Sequence, residues 1–449
     1  MTTATATGTP FDADTLVAAA MAATGHDDLG EPTWREGLDR LLQDLDGPAR
    51  LNDIGRTIVE TELVSYLGNR MEILAWRGSH PEVADGAVTR PVVIVGQPRT
   101  GTTILYDLLA QDPANRAPLT WEVDRPCPPP VSATYDTDPR IDESEALAAM
   151  PDLIIPGFTD HHPMGARLAQ ECVRMTGSAF RSMIFPTQYD LPDYDRWLLH
   201  EADMAPAYRW HRMFLQHLQS GHPGERWLLK SPAHLWSLDA LFHEYPDALV
   251  VQTHRDPVRV IASISALVAL LRSMASDHGT VAGAAAQYAE DILLGLDRSV
   301  AARRDGTVPR GQVVDVQFHE FLTDPFTTIG TVYDTLGLPL TAEAEEHVGR
   351  IVATVETARE AELERRLAEA EAKIVELTAS AAPANLLAHG RKTLPSGMAT
   401  MLAKQGVTLE LGASGASIEA AALDAALTSL AIEQRITVKT ELRRAGLLG

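Results

Sequence analysis

Residues 94–103 read Ile-Val-Gly-Gln-Pro-Arg-Thr-Gly-Thr-Thr, and their types and spacing are those of a loop that binds phosphate. Gly96 and Gly101 allow backbone N–H groups to approach an anion at the N-terminus of the helix that follows. Their spacing matches a nucleotide P-loop, but the position where a Walker A loop carries lysine is Thr102. The cation of the loop is Arg99 instead. The pattern predicts a nucleotide phosphate site that does not work as an ATPase, with a ligand-free βα turn as the alternative.

A second candidate phosphate site lies at 253–263, which reads Thr-His-Arg-Asp-Pro-Val-Arg-Val-Ile-Ala-Ser. It follows an apolar strand, and Asp256 and Pro257 are a favourable N-cap and first residue for a helix. Arg255 then lies at the end of the strand and Ser263 lies two helical turns further on, where both can reach one additional phosphate. A surface salt bridge is the alternative role for Arg255.

These two motifs together resemble those of the sulfotransferases that use 3′-phosphoadenosine 5′-phosphosulfate (PAPS), close to the bacterial, actinobacterial-type branch. Segments 112–122, 227–235 and 318–325 share in the resemblance. It covers roughly residues 12–345 and is specific in the two phosphate motifs.

The resemblance implies PAPS as the donor substrate and assigns a phosphate to each motif. The first loop would bind the 5′-phosphosulfate, and an arginine and a serine eight residues apart, here Arg255 and Ser263, would bind the 3′-phosphate. The predicted nucleotide contacts are Gly96, Pro98, Arg99, Thr100, Gly101, Thr102, Thr103, Arg255 and Ser263.

Two positions depart from the family pattern. Ile104 stands where an aromatic side chain often stacks on adenine, and Phe318 stands where tyrosine is usual, so that a hydroxyl is lost. The C-terminal 90 or so residues lie outside the resemblance, and the usual C-terminal nucleotide segment is not recognisable there.

Sulfuryl transfer needs positive charge on the transferred group and on the bridging oxygen, with the attacking and leaving groups in line. Arg99 and Lys230 are the candidates on the leaving side. Lys230 ends a strand beside that of the phosphate loop, although a structural ion pair at a strand end is its alternative role. Cations and backbone donors of this kind can act without a metal.

Glu171 is the candidate base for the acceptor hydroxyl. Relatives use a histidine or a glutamate, and the position of that histidine falls near Pro232 in this chain. A solvated helix residue is the alternative role for Glu171. His161 and His162 are candidates to orient the acceptor or to share the base role, although adjacent loop histidines are more often surface residues. Cys and His do not recur at ligand spacing, so no metal site is predicted.

The elements that must position these residues form an α/β pattern. From 91 to about 340, short apolar strands alternate with helices, which is typical of a parallel sheet flanked by helices. The clearest predicted strands are 91–95, 227–230, 248–253 and 312–317. Each is followed by a polar or charged residue at its carboxyl end, where such sheets bind ligands. The fold predicted is therefore an α/β, P-loop-like parallel sheet.

Three regions differ in pattern along the chain. Residues 1–90 have helical periodicity and predict an N-terminal helical subdomain, 91–350 form the predicted PAPS-binding domain, and 355–449 form a predicted helical C-terminal extension. Within the second region, 124–165 is rich in Pro, Asp and His and is predicted to be a lid or substrate loop.

The C-terminal extension carries a short heptad pattern. Apolar residues at 363–377 follow a 4-3-4-3 spacing between charged residues, enough for about two heptads. This predicts pairing with a partner helix and hence a homo-oligomer. A last helix is predicted from about 429 to 446.

Composition limits the classes of partner. The 449 residues carry a formal net charge of -23, which argues against general nucleic-acid binding. Two cysteines suit a reducing compartment. The N-terminus shows no basic region followed by an apolar one, and no apolar run is long enough to span a bilayer. These features predict a cytoplasmic protein.

The function predicted is transfer of a sulfuryl group from PAPS to the hydroxyl of a small-molecule or lipid acceptor. The aromatic, Leu and Met content around 175–215 favours an apolar acceptor. The alternatives are a P-loop nucleotide kinase or NTPase, which would require lysine at position 102 and an acidic residue for Mg²⁺ at a strand end, and a non-catalytic nucleotide-binding scaffold.

Overall fold

The computed structural model describes residues 9–155, 158–161 and 163–353, together with the isolated positions 423, 427, 438 and 442. The chain divides into two units, Met1–Arg350 and Ile351–Gly449. His162, the heptad segment and all but two residues of the predicted last helix lie outside the described residues. Self-association through the heptad segment and a cytoplasmic location stay predictions.

The first unit contains the sheet and the helices that surround it. The helices with defined ends are α1 (Ala13–Thr24), α2 (Thr33–Leu45), α3 (Asp53–Ser79), α4 (Thr102–Leu109), α5 (Thr120–Asp124), α6 (Arg140–Ala148), α7 (Met150–Ile154), α8 (Phe158–His161), α9 (Cys172–Gly177), α10 (Ile184–Gln188), α11 (Pro192–His200), α12 (Ala205–Gln219), α13 (Leu238–Glu244), α14 (Pro257–Ser273), α15 (Val281–Asp305), α16 (Phe318–Thr323) and α17 (Pro325–Leu336). The strands are β1 (Val92–Gly96), β2 (Asn115–Arg116), β3 (Arg226–Lys230), β4 (Leu249–His254) and β5 (Val313–Gln317).

The five strands form one parallel sheet in the order β2-β3-β1-β4-β5. In the centre, Val93 of β1 lies beside Leu229 of β3 and Val250 of β4. Because parallel strands end at the same edge, the phosphate loop after β1, Lys230 at the end of β3 and Arg255 after β4 share the carboxyl edge of the sheet. The predicted α/β fold and its four predicted strands are confirmed. The two-residue strand β2 was not predicted, because two residues carry no periodicity.

The N-terminal helices share a hydrophobic core with the sheet. Leu38 of α2 and Leu67 of α3 are fully buried in the same cluster as Val93 and Leu229. The helical pattern predicted for the first 80 or so residues is confirmed by α1 to α3. A domain boundary near residue 90 stays a prediction.

The segment predicted to be a lid contains several short elements. A 3₁₀ turn at Ser132–Thr137 precedes α6, α7 and α8. Pro139 is the N-cap of α6, and Pro151 is the second residue of α7. The segment therefore has local helical order between its turns, and its role as a lid stays a prediction. None of the helices in the described part of the chain has the length and apolar character needed to cross a bilayer.

Candidate functional site at the carboxyl edge of the sheet

The phosphate loop needs glycine at both of its predicted positions. Gly96 has φ 147°, and a Cβ there would lie 2.3 Å from the Thr253 hydroxyl oxygen. Gly101 has φ 87°, and a Cβ there would lie 2.6 Å from the ring of Phe318. Both values of φ are disfavoured for residues with a side chain, so the loop closes tightly around a space at the N-terminus of α4.

A contact between two threonine hydroxyls fixes this loop to the neighbouring strand β4. The Thr100 hydroxyl is buried, donates to the Gln97 carbonyl and lies 2.6 Å from the hydroxyl of Thr253 on β4. Thr102 is buried at the start of α4, whereas Thr103 is exposed and Pro98 is half-buried. The Thr100 hydroxyl therefore holds the loop to the neighbouring strand, which leaves its backbone N–H as the group able to meet a phosphate.

Arg99 joins the two phosphate motifs. It has φ 67°, a left-handed conformation that is uncommon for a residue with a side chain. Its Nε donates to the Ser263 hydroxyl at 3.2 Å, and its carbonyl accepts from Nη1 of Arg255 at 2.8 Å. Arg255 and Ser263 of the second predicted motif therefore both contact Arg99 of the first.

This cluster is strongly cationic. Partial burial and the neighbouring charge of Arg255 lower the pKa of Arg99. Within the described residues, neither Arg99 nor Arg255 is ion-paired with a carboxylate. Two close guanidinium groups that lack a counter-charge are best stabilised by a bound anion, and their geometry suits phosphate.

Phe318 supports Arg255. The guanidinium carbon of Arg255 lies 4.5 Å from the centre of the Phe318 ring. The same ring packs against Gly101, so the side chain fills the space between the two motifs. A cation over a ring face is stabilised by the ring quadrupole, which requires no hydroxyl.

Lys230 lies on the other side of the phosphate loop. Its side chain is only 3% exposed, and its ammonium contacts the Glu171 carboxylate directly. Nζ also donates to the Thr103 hydroxyl at 3.3 Å and lies 5.6 Å from the centre of the Tyr106 ring. Lys230 therefore links the helix of the phosphate loop to the candidate base.

Glu171 is held at the entrance to α9. Residue 170 is fixed to the chain segment before α5, because its N–H donates to the Pro118 carbonyl at 2.7 Å. The Gln170 side chain in turn accepts from the N–H of Glu171 at 2.8 Å. The Glu171 side chain is 30% exposed, so its carboxylate meets Lys230 on one side and open space on the other. That open side suits an acceptor.

Of the two candidate histidines, the structure describes the backbone of one. His161 ends α8, and His162 lies outside the described residues. Their predicted roles stay predictions. Among the described residues, no group of three or more His, Cys, Asp or Glu side chains is arranged to hold a metal ion.

A family model described as the sulfotransferase family matches residues 91–342, which is more than half of the chain. The chain belongs to the sulfotransferase family. The resemblance carried by the two phosphate motifs and the prediction of an enzyme of this family are therefore confirmed.

This sulfotransferase is similar to several mycobacterial proteins. The solved structure of STF1 from Mycobacterium tuberculosis has 32% identity and a TM-score of 0.69, covering 76% of this chain and 93% of its own. STF9 from Mycobacterium avium has 30% identity and a TM-score of 0.71, covering 77% and 90%.

A curated relative, the omega-hydroxy-beta-dihydromenaquinone-9 sulfotransferase Stf3 of Mycobacterium bovis, is 25% identical over 254 residues. That match covers 55% of this sulfotransferase and 63% of the length of Stf3. The same protein of Mycobacterium tuberculosis matches equally well.

Sequence reasoning missed two residues of α4 in this sulfotransferase. Tyr106 is fully buried beside Lys230, and its single hydroxyl proton lies within reach of two carbonyl oxygens, of Gln170 at 3.2 Å and of Leu228 at 3.3 Å. Burial raises the pKa of the Asp107 carboxyl, and the charge of Lys230 opposes that rise. Both follow Thr103 by three or four residues, so helical spacing was the signal that could have identified them.

Proposed function

We propose that this sulfotransferase moves the sulfuryl group of PAPS to the hydroxyl of a small-molecule or lipid acceptor. The observation that carries the proposal is the cationic cluster of Arg99 and Arg255 beside the phosphate loop, with Lys230 and Glu171 on the other side of it. A donor with phosphate groups at both ends of its ribose would engage both motifs at once.

The donor contacts follow from the two motifs. The N–H groups of the loop, the N-terminus of α4 and Arg99 would hold the 5′-phosphosulfate, since these are the donors and the cation that converge there. Arg255 and Ser263 would hold the 3′-phosphate. The mutual contacts of Arg99, Ser263 and Arg255 would couple the two ends of the donor.

The chemistry assigns separate roles to Lys230 and Glu171. The acceptor oxygen forms a bond to sulfur while the bond between sulfur and the bridging oxygen breaks, which releases 3′,5′-diphosphoadenosine. The ammonium of Lys230 stabilises the charge that develops on the bridging oxygen, and Glu171 takes the proton of the acceptor hydroxyl. In the structure the two groups contact each other, so donor binding would exchange one partner of Lys230 for another.

Substitution of Arg255 by methionine is expected to reduce affinity for 3′,5′-diphosphoadenosine by about 10- to 100-fold, because charge-assisted hydrogen bonds contribute about 1.5–3 kcal/mol. Affinity for adenosine 5′-monophosphate, which lacks the 3′-phosphate, should change far less. Titration calorimetry with both nucleotides measures the difference. Arg304→Met is the matched control, since Arg304 is exposed in the last turn of α15. Equal losses for both nucleotides would contradict the assignment.

The donor itself is tested by comparing nucleotides and by following transfer from sulfur-labelled PAPS to a panel of alcohols. We expect binding of 3′,5′-diphosphoadenosine and transfer of label to at least one alcohol. Tight binding of ATP with none of the bisphosphate would favour the kinase alternative. Binding of the bisphosphate with no transfer to any alcohol would favour the scaffold alternative.

An apolar acceptor is supported by the segment that leads to Glu171. The relative Stf3 is named for an acceptor that is a hydroxylated dihydromenaquinone. Of the 16 large apolar side chains that are exposed in the described part of this chain, six lie between 147 and 168, so the segment is unusually apolar for a surface. They are Leu147, Met150, Leu153, Ile154, Met164 and Leu168.

Replacing Leu153 by serine is expected to raise the KM for a long-chain alcohol about fivefold, which corresponds to about 1 kcal/mol of lost apolar contact. The KM for a short alcohol should not change. Leu153 is 77% exposed, so its replacement should leave the folded structure intact. Leu293→Ser on α15 is the matched control, because Leu293 is 61% exposed. Steady-state kinetics with both alcohols decide the matter, and equal effects of the two substitutions would contradict an acceptor path along this segment.

A further inference from the structure

A small cavity lies at the carboxyl end of β3, next to the candidate active site. Its volume is about 30 Å³, and its lining includes Cys172 and Ser231. These are the chain neighbours of Glu171 and Lys230. Much of the remaining wall is apolar, with Met183, Leu198, Met204 and Trp236 among the lining side chains. A cavity of this size has room for about two water molecules or a small organic group.

Two polar side chains in the lining each have one nitrogen atom without a partner. His234 and Arg181 are 3% and 5% exposed. Nε2 of His234 and Nε of Arg181 form no hydrogen bond within the described part of the chain. Buried polar atoms are nearly always paired, so two unpaired nitrogen atoms in the lining of one cavity are available to a ligand atom or to ordered water.

Both unpaired atoms are hydrogen-bond donors. Burial lowers the pKa of His234 to about 3, so its ring is neutral at pH 7. Nδ1 lies 2.8 Å from the hydroxyl of Tyr208, which has no other acceptor among the described residues. The Tyr208 hydroxyl therefore donates to Nδ1, and the ring proton of His234 is on Nε2. Nε of arginine is always a donor.

The two unpaired donors are best satisfied by an uncharged oxygen atom of a ligand. The charge of Arg181 already has a partner, because its Nη2 lies 3.0 Å from the Glu36 carboxylate. The His234 ring carries no charge. A carboxylate or sulfate in the cavity would therefore be buried with little compensation, at a large desolvation cost. A carbonyl or ether oxygen can accept from either donor and brings no charge.

We infer that the cavity binds a second, uncharged oxygen of the acceptor, a carbonyl or ether carried on an apolar body. The inference rests on the proposed function and narrows its acceptor to an apolar alcohol with a hydrogen-bond acceptor at a set distance from the hydroxyl. The reacting hydroxyl lies at Glu171, while His234 and Arg181 act as specificity residues at the other end.

The test compares alcohols of equal carbon number with and without a keto group, over a series of distances between the hydroxyl and the carbonyl. At one distance the KM of the keto-alcohol should be at least about tenfold lower than that of the plain alcohol, as expected for one well-made buried hydrogen bond to a polar site. In His234→Phe and in Arg181→Lys this ratio should fall towards one. No preferred distance in the native chain, or a preference that survives both substitutions, would overturn the inference.

A binding measurement that needs no turnover separates this inference from the proposed function. In the full chain labelled with nitrogen-15, saturated with 3′,5′-diphosphoadenosine, the His234 Nε2 resonance should shift when the preferred keto-alcohol is added and not when the plain alcohol is added. An unmoved resonance would mean that the cavity holds ordered water alone, and the inference would fail. A shift without transfer to any alcohol would refute the proposed function alone. The affinity for 3′,5′-diphosphoadenosine reports whether each variant is folded, and Arg181→Lys serves where His234→Phe does not fold.

Discussion

Replacement of Lys230 by methionine is expected to lower kcat by about 10²–10³-fold, the usual effect of removing one preorganised group from a developing negative charge. Methionine keeps most of the length of the side chain and removes its charge. Glu171 is partly exposed, so loss of its ion-pair partner leaves the carboxylate able to meet water and should not unfold the chain. Single-turnover transfer from labelled PAPS measures the rate, and calorimetry with 3′,5′-diphosphoadenosine shows whether the site is intact.

The expected result separates a catalytic lysine from a structural one. If Lys230 only ties β3 to α9, methionine should lower the melting temperature while the transfer rate per folded molecule stays close to normal. If Lys230 acts on the bridging oxygen, the rate should fall with nearly unchanged stability. Lys230→Arg should recover part of the rate, because the charge returns in a different geometry.

Substitution of Glu171 by glutamine is expected to lower kcat by about 10²–10⁴-fold, the range found for general acid–base groups. Affinity for 3′,5′-diphosphoadenosine should be retained or slightly increased, because a carboxylate beside an anionic ligand repels it. Glutamine has the same shape and still accepts one hydrogen bond from Lys230. Transfer kinetics and calorimetry on the same preparation give both quantities.

A matched control exists at the opposite edge of the sheet. Glu225 directly precedes β3, whereas Lys230 ends that strand. The side chain of Glu225 is 67% exposed. Glu225→Gln should therefore leave both kcat and nucleotide affinity unchanged. If Glu171→Gln keeps the native transfer rate, Glu171 is not the base, and His161 and His162 become the next positions to replace.

The strands, turns and helix starts around the two predicted phosphate motifs could be predicted because their physical causes are local. The phosphate loop depends on two glycines, one strand and one helix N-terminus, all within 92–109. Arg255 directly precedes Asp256, the N-cap of α14, and Ser263 lies about two turns into that helix, so a short stretch of chain keeps the two residues near one helix N-terminus. The strands themselves were recognisable because fully buried parallel strands read as short apolar runs. The two-residue β2 and the short helices between 132 and 161 carry too little periodicity to be recognised.

The chemistry of Thr100 shows the limit of residue types. A hydroxyl in a phosphate loop predicts a ligand contact, yet the structure buries this one against Thr253, 153 residues further along the chain. The same holds for Phe318, which was noted for a missing hydroxyl and lies under the guanidinium of Arg255. The residue type limits which groups a side chain can contact, and the segments packed around that side chain determine which of those contacts form.

The sequence alone determined the family, the parallel α/β fold and the local conformation of both predicted phosphate motifs of this sulfotransferase, because each depends on contiguous residues whose geometry is set by glycine, proline and helical spacing. The tertiary structure decided what those motifs meet. It brought Arg99 to Ser263, 164 residues away, and Lys230 to Glu171, 59 residues away. It also enclosed the cavity beside His234. Such contacts arise when separate segments pack around one sheet edge, and no local pattern in the chain records which segment will lie opposite.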